Sequence, residues 1–174
     1  MSCAIQAGYT IGCVDSVGGI KAIYLITYDE VSSMTDASGI VTGITKDTGK
    51  RFWKFELPSR STANATSNPV GSLENGTLFF QQQLTFPINK RDATTRNIVA
   101  TIVKNRVIAV TEDKDGIFRM YGKMNGLFSA ASTGQTGAAA GDANGYTIVL
   151  EGDEKDDFFA VDSATAAALQ TPGS

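Results

Sequence analysis

Hydrophobic and polar positions alternate with a period of two along most of the chain, the signature of strands. In GIKAIYLITY (19–28), Ile20, Ala22, Tyr24 and Ile26 share one face while Ile23 and Leu25 occupy the other. Apolar groups on both faces predict a strand held between two layers. SGIVTGI (38–44) predicts a short second strand, with a turn at Thr48-Gly49. RFWKFEL (51–57) alternates Trp53, Phe55 and Leu57 against Phe52, Lys54 and Glu56, so the first set is expected inside. TLFFQQQLTF (77–86) predicts a long strand with Leu78, Phe80, Gln82, Leu84 and Phe86 inward. Its other face carries Phe79, Gln81, Gln83 and Thr85, and Pro87 is expected to end it. The period then changes. DATTRNIVATIVKNR (92–106) pairs Ile98 with Ile102 and Val99 with Val103 at helical spacing, behind an Asp92 N-cap and ahead of the basic Lys104 and Arg106. VIAVTE (107–112) and IFRMYGKM (117–124) flank the turn DKDG, and YTIVLEG (146–152) and FFAV (158–161) close the strand set.

Two stretches break the pattern. Residues 58–76 are rich in Ser, Thr, Asn, Pro and Gly and predict a long loop with a turn at Asn75-Gly76; residues 129–145 predict a second. The fold class expected is mainly β: a sandwich or barrel with one packed helix, a long hairpin loop and extended termini. Residues 1–161 make one domain, with 1–19 an N-terminal arm and 162–174 a flexible C-terminal tail. The expected core includes Trp53, Phe55, Phe80, Leu84, Phe86, Ile98 and Ile102.

Composition narrows the chemistry. The 174 residues contain no histidine, which removes Ser-His-Asp and Cys-His mechanisms and the commonest zinc and non-haem iron sites. No catalytic, cofactor or metal site is expected. Cys3 and Cys13 are too few for a disulfide scaffold and are expected as free thiols. The N-terminus lacks the basic and apolar regions of a secretory signal, and no apolar run approaches membrane-spanning length, so a cytoplasm-like environment and no membrane are expected. The net charge of -3 is unevenly spread: residues 1–123 hold 14 basic and 11 acidic groups, whereas 124–174 hold one lysine against seven carboxylates. A pI near 4.9 argues against a surface that grasps phosphate.

Three local motifs fall short of a site. GITKDTGK (43–50) misses the phosphate-loop spacing and is followed by a strand pattern instead of a helix. EGDEKDD (151–157) has five carboxylates without the calcium-loop alternation and reads as a solvated acidic turn. The aromatics of 52–55 and 79–80, with Arg51 and Lys54, could stack bases, but their alternation favours a packed inward face. Long low-charge loops, a polar uncharged sheet face and a segregated acidic third suit a subunit that meets copies of itself.

The order strand, long hairpin loop, strand, helix, hairpin, strand over residues 20–161 resembles the tail tube proteins of tailed bacteriophages, a family related to the type VI secretion tube subunit. ENGTLFFQQQLTFPINKRDATTRN (74–97) and GDANGYTIVLEGDE (141–154) carry the likeness. The resemblance implies rings, usually hexameric, stacked into a hollow tube that holds the tape-measure protein and passes DNA. It implies a virion tail location after assembly in the bacterial cytoplasm. On that model Gln81, Gln83, Thr85, Asp153, Glu154, Asp156 and Asp157 would face the lumen. Pro58, Ser61, Asn64, Asn68 and Pro69 of the long loop would reach the next ring, and both termini could act as arms. Two alternatives stand beside it: another virion β-protein (capsid decoration, head completion or tail terminator), and a carbohydrate- or ligand-binding sandwich with Trp53 as platform.

Overall fold

A computed structural model describes residues 5, 7–13 and 15–174. The strands are β1 (Ile20–Thr27), β2 (Val31–Ala37), β3 (Ile40–Lys46), β4 (Trp53–Glu56), β5 (Asn64–Ser72) and β6 (Thr77–Asn89), followed by helix α1 (Ala93–Lys104). Then come β7 (Val107–Asp113), β8 (Phe118–Tyr121), β9 (Phe128–Ser129), β10 (Thr133–Gln135), β11 (Gly145–Glu154), β12 (Phe159–Val161) and the short helix α2 (Ser163–Ala167). The chain is mainly β with one main helix, as its periodicity predicts.

Two sheets form. A seven-stranded sheet runs β2-β3-β12-β8-β7-β1-β4, antiparallel except where β12 lies parallel to β3. The second runs β10-β11-β6-β5, with β9 added to β11. Between them Ile23 and Leu25 of β1 meet Leu84 and Phe86 of β6, Ile148 and Leu150 of β11, and Val99 and Ile102 of α1. On the other face of the seven-stranded sheet, Ala22, Tyr24 and Ile26 join Val41, Ile108, Val110, Met120, Phe52 and Leu169. Strand β1 thus serves two cores, which explains its apolar residues on both faces. Its Tyr24 hydroxyl donates to Glu112, which also pairs with Lys21 at 2.5 Å. Burial, then the Glu112 carboxylate, push the Tyr24 phenol up to about 12.

Helix α1 begins where the sequence places it, with the Asp92 side chain accepting from the Thr95 N–H at 2.7 Å. Several expectations need correction. Residues 58–76 are not one long loop: 64–72 form β5, which pairs with β6 from Asn64↔Thr85 to Ser72↔Thr77, and only 73–76 turn. Gly76 takes the positive φ of 61° that this turn requires. Pro87 does not end β6, because β5 stops opposite Thr85 and leaves no partner awaiting the missing N–H on that edge. β2 is a strand that the periodicity did not announce, because its apolar positions, Val31 and Met34, are too sparse to alternate.

Residues 162–174 are not a flexible tail. Asp162 caps α2, Leu169 is fully buried, and its carbonyl accepts from the Phe52 N–H at 3.0 Å. The Lys46 ammonium donates to the carbonyls of Ala168, Leu169 and Thr171, and Gly173 bridges to Thr48. The arm is different: Ile5, Tyr9 and Ile11 are 95%, 90% and 82% exposed and lie in neither helix nor strand. Cys13 is a free, exposed thiol; Cys3 lies outside the described residues.

Candidate functional site

The five-stranded sheet turns one face to the core and the other to solvent, and the register fixes what the outer face holds. Gln81 of β6 lies between Asn68 of β5 and Asp153 of β11; Gln83 between Thr66 and Glu151; Thr85 between Asn64 and Val149. Gln83 donates to the Glu151 carboxylate across the strand pair. Leu84 and Phe86, the intervening residues, are buried. The result is a surface of amides, hydroxyls and two carboxylates, interrupted by Val149 and by the pair Phe79 and Val70, with no lysine or arginine among those positions. Without cations these polar groups offer phosphate nothing to hold, and the two carboxylates repel it.

Of the residues expected to line a lumen, Gln81, Gln83, Thr85 and Asp153 share this one face, but the three other acidic residues go elsewhere. Glu154 is not solvated: it is 3% exposed, on the inner side of β11 opposite Phe80. Its carboxylate accepts from the backbone N–H groups of Met124 at 3.0 Å and Asn125 at 2.8 Å. Burial raises its pKa, opposed by those backbone donors and that of Gly126. Asp156 and Asp157 follow β11 in an exposed turn that leaves the sheet. The Asp156 carbonyl accepts from buried Gln82, whose own amide oxygen accepts from the Gly122 N–H at 2.8 Å. An inward-facing glutamine and a buried glutamate therefore brace the segment 122–126 from two sides. The alternation of 77–86 already put Gln82 inward, whereas the strand expected to end at Gly152 runs on to Glu154 and turns that carboxylate inward as well.

The residues expected at a ring-to-ring contact separate likewise. Asn64 and Asn68 join the outer face, whereas Pro69 takes the other face, opposite Phe80, and stays exposed there. Pro58 and Ser61 stay in the linker before β5, where the Ser61 N–H donates to the Pro58 carbonyl. The exposed apolar groups of this hairpin are Val70, Leu73 and Leu78, at and near its tip.

Among the expected core, Phe55, Leu84, Phe86 and Ile102 pack as predicted. Phe80 is only partly buried. Trp53 is 58% exposed and Ile98 is 42% exposed, while the neighbouring Phe52 is buried in the second cluster. Trp53 lies on the predicted face, opposite Leu25, yet β4 is the sheet's edge and nothing covers it there. Arg51 stacks its guanidinium 4.3 Å from the Trp53 ring centre. Trp53 and Ile98 instead face each other across an apolar groove of about 940 Å³. Phe55, Leu57, Pro58, Ile88 and Ile102 complete its walls, with Glu30, Asn89 and Asn105 at hand.

Among the described residues, no group of three or more Cys, Asp or Glu side chains is placed to hold a metal ion. No helix there is long and apolar enough to cross a membrane. No protein-family model matches the chain, and neither a curated protein nor a solved structure matches it.

Proposed function

We propose that this chain is a structural subunit that associates with copies of itself into rings stacked as a hollow tube, the tail tube of a tailed-bacteriophage virion. The observation that carries the reading is the outer face of the five-stranded sheet: Asn64, Asn68, Gln81, Gln83, Thr85, Glu151 and Asp153 form a polar surface without a cation. A conduit for DNA needs such a wall, since every lysine or arginine meeting phosphate adds a counterion-release gain that holds the strand in place. The sheet edges agree. β5 and β4 each end a sheet with one edge unpaired, although Pro69 and Lys54 partly blunt them. Open edges let neighbouring subunits continue a sheet around a ring. The partners on this reading are further copies, a tape-measure protein held within the tube, and DNA in transit.

Negative-stain electron microscopy of the purified chain at rising concentration tests the proposal. Hollow rings or tubes are the expected result; particles that stay single subunits at every concentration refute it. Gln83→Lys then tests which face lines the channel. Assembled Gln83→Lys particles should retain DNA in a salt-sensitive way, and equal retention by variant and parent would place the polar face elsewhere.

A second reading follows from one observation, the exposure of Trp53 above an apolar groove with polar groups such as Glu30, Asn89 and Asn105 in reach. A ligand-binding sandwich would present such a platform. That protein would be monomeric and would lose its ligand on Trp53→Ala.

A further inference from the structure

The groove beside β4 has an unpaired strand edge running along it. Trp53, Lys54, Phe55 and Glu56 all line it, although successive residues of a strand point to opposite faces, so the groove follows the open edge itself. The opposite wall is the end of β6, Pro87–Asn89, beyond the reach of β5, and the floor is α1 through Ile98, Thr101 and Ile102. A strand laid here would pair with β4 and bury alternate side chains against Trp53, Leu57 and Ile98. Pro87 has no N–H to offer, so the ladder belongs to β4.

The N-terminal arm has the pattern such a strand needs. From Cys3 to Cys13 every odd position is apolar or small and hydrophobic, Cys3, Ile5, Ala7, Tyr9, Ile11 and Cys13, and no charge occurs before Asp15. Period two is the pattern of a half-buried strand, yet Ile5, Tyr9 and Ile11 are almost fully exposed and lie in no strand ladder among the described residues. The arm is also aimed away from its own groove. The Ser16 hydroxyl and the Val17 N–H both donate to the Asp115 carboxylate, at 2.9 and 2.8 Å, and the Lys114 N–H donates to the Gly19 carbonyl. Asp115 lies in the β7–β8 turn, and β7 flanks β1 on the side opposite β4. The groove meets β1 at Leu25–Thr27, its far end, roughly 20 Å from Gly19 along the strand.

We infer that residues 5–13 of one copy add as a strand to the β4 edge of a second copy, seating Ile5, Tyr9 and Ile11 in the groove under Trp53. This rests on the self-assembly reading and names the contact that makes it. The small Ala7, Gly8 and Gly12 allow close backbone approach, and an uncharged segment enters an apolar groove without leaving an ion unpaired. Each subunit has one donor arm and one acceptor groove, so the contact is head-to-tail and propagates.

Complementation between full-length variants tests it. Tyr9→Asp with Ile11→Asp disables the donor, at positions that touch no core. Ile98→Asp disables the acceptor, and Thr101→Arg, an exposed change on the same helix, does so independently of core packing. Trp53→Phe in the acceptor-disabled chain leaves the donor-disabled chain's Trp53, the only tryptophan of its sequence, as the reporter. Each variant alone should sediment as a single subunit; an equimolar mixture should give a species of twice the subunit mass, with a blue shift of Trp53 emission that saturates with concentration. A mixture that stays at the single-subunit mass overturns the inference. So does a donor-disabled chain that assembles as the parent does, or a Trp53 shift that depends on the arm but not on concentration, which would put the arm in its own groove. Loss of pairing with Leu73→Asp while donor-disabled chains still pair would assign the groove to the hairpin tip instead. Doubled mass in a protein that never forms rings refutes the tube and leaves the arm contact standing; rings built by donor-disabled chains do the reverse.

Discussion

Glu154→Ala isolates the least expected element of the site. The wild-type carboxylate takes two backbone N–H groups of the segment 122–126, at 2.8 and 3.0 Å, from a position 3% exposed. Removing it strands both donors. A buried donor left without a partner costs about 1–3 kcal/mol, and Met124 and Asn125 are exposed enough for water to recover part of that. The expected loss is therefore about 2–4 kcal/mol, read as a lowered urea midpoint at unchanged slope by circular dichroism. A loss below about 1 kcal/mol would refute the bracing role, since a surface substitution gives as little. The charge itself predicts a second result. Burial raises the Glu154 pKa in the folded chain, so the folded state holds a proton that the unfolded state releases. Its contribution is fully present below the unfolded carboxylate pKa and is lost as pH rises through the folded value. Glu154→Gln should flatten that slope of stability between about pH 4 and the folded value, and an unaltered slope would mean that another group sets it.

Three further outcomes follow. Phe52→Ala should cost about 3–5 kcal/mol in chemical unfolding whereas Trp53→Ala, one residue on, should cost well under half as much; equal losses would contradict the edge position of β4. Leu169→Ala should cost about 2–5 kcal/mol by the same assay, and a neutral result would return residues 162–174 to the status of a tail. Spectrophotometric titration, compared with Tyr24→Phe, should find the Tyr24 phenol ionising at about 12. Because that pKa is raised, its stabilisation is complete below the unfolded phenol's pKa near 10 and lost as pH climbs through about 12, so Tyr24→Phe should weaken the alkaline decline in stability.

Periodicity made the long elements legible. The β1 residues Ala22 to Ile26, the β6 pair Leu84 and Phe86 and the helix Ala93–Lys104 sit where their spacing puts them, because each is long enough for burial to repeat; Ile20, expected on the face of Ala22, joins Ile23 and Leu25 because the register shifts between Ile20 and Ala22. Short elements failed for the converse reason. β5 reads NATSNPVGS, with nothing apolar on the outer face except Val70, since that face meets no core and its partner β6 supplies the pairing. The burial of Leu169 and Phe52 depends on a contact 117 positions apart in sequence, which no local pattern encodes. Trp53 was assigned the correct face and the wrong exposure: alternation tells which way a side chain points, but only strand order tells whether anything lies there. Glu154 shows the same limit for charge, since five carboxylates in seven residues suggest water while the register turns one of them inward.

The placement of Leu169 bears on how the chain is made. A ribosome delivers residues from the N-terminus at about 5–20 per second, and the first core can assemble once β11 has emerged. The second cannot, because Val161 and Leu169 are needed to cover Ile26, Val41 and Ile108. Until those residues leave the exit tunnel, the nascent chain shows bare apolar surface to chaperones and proteases. A chain interrupted before Phe159 would keep that surface bare, a mark that tells it from the finished fold.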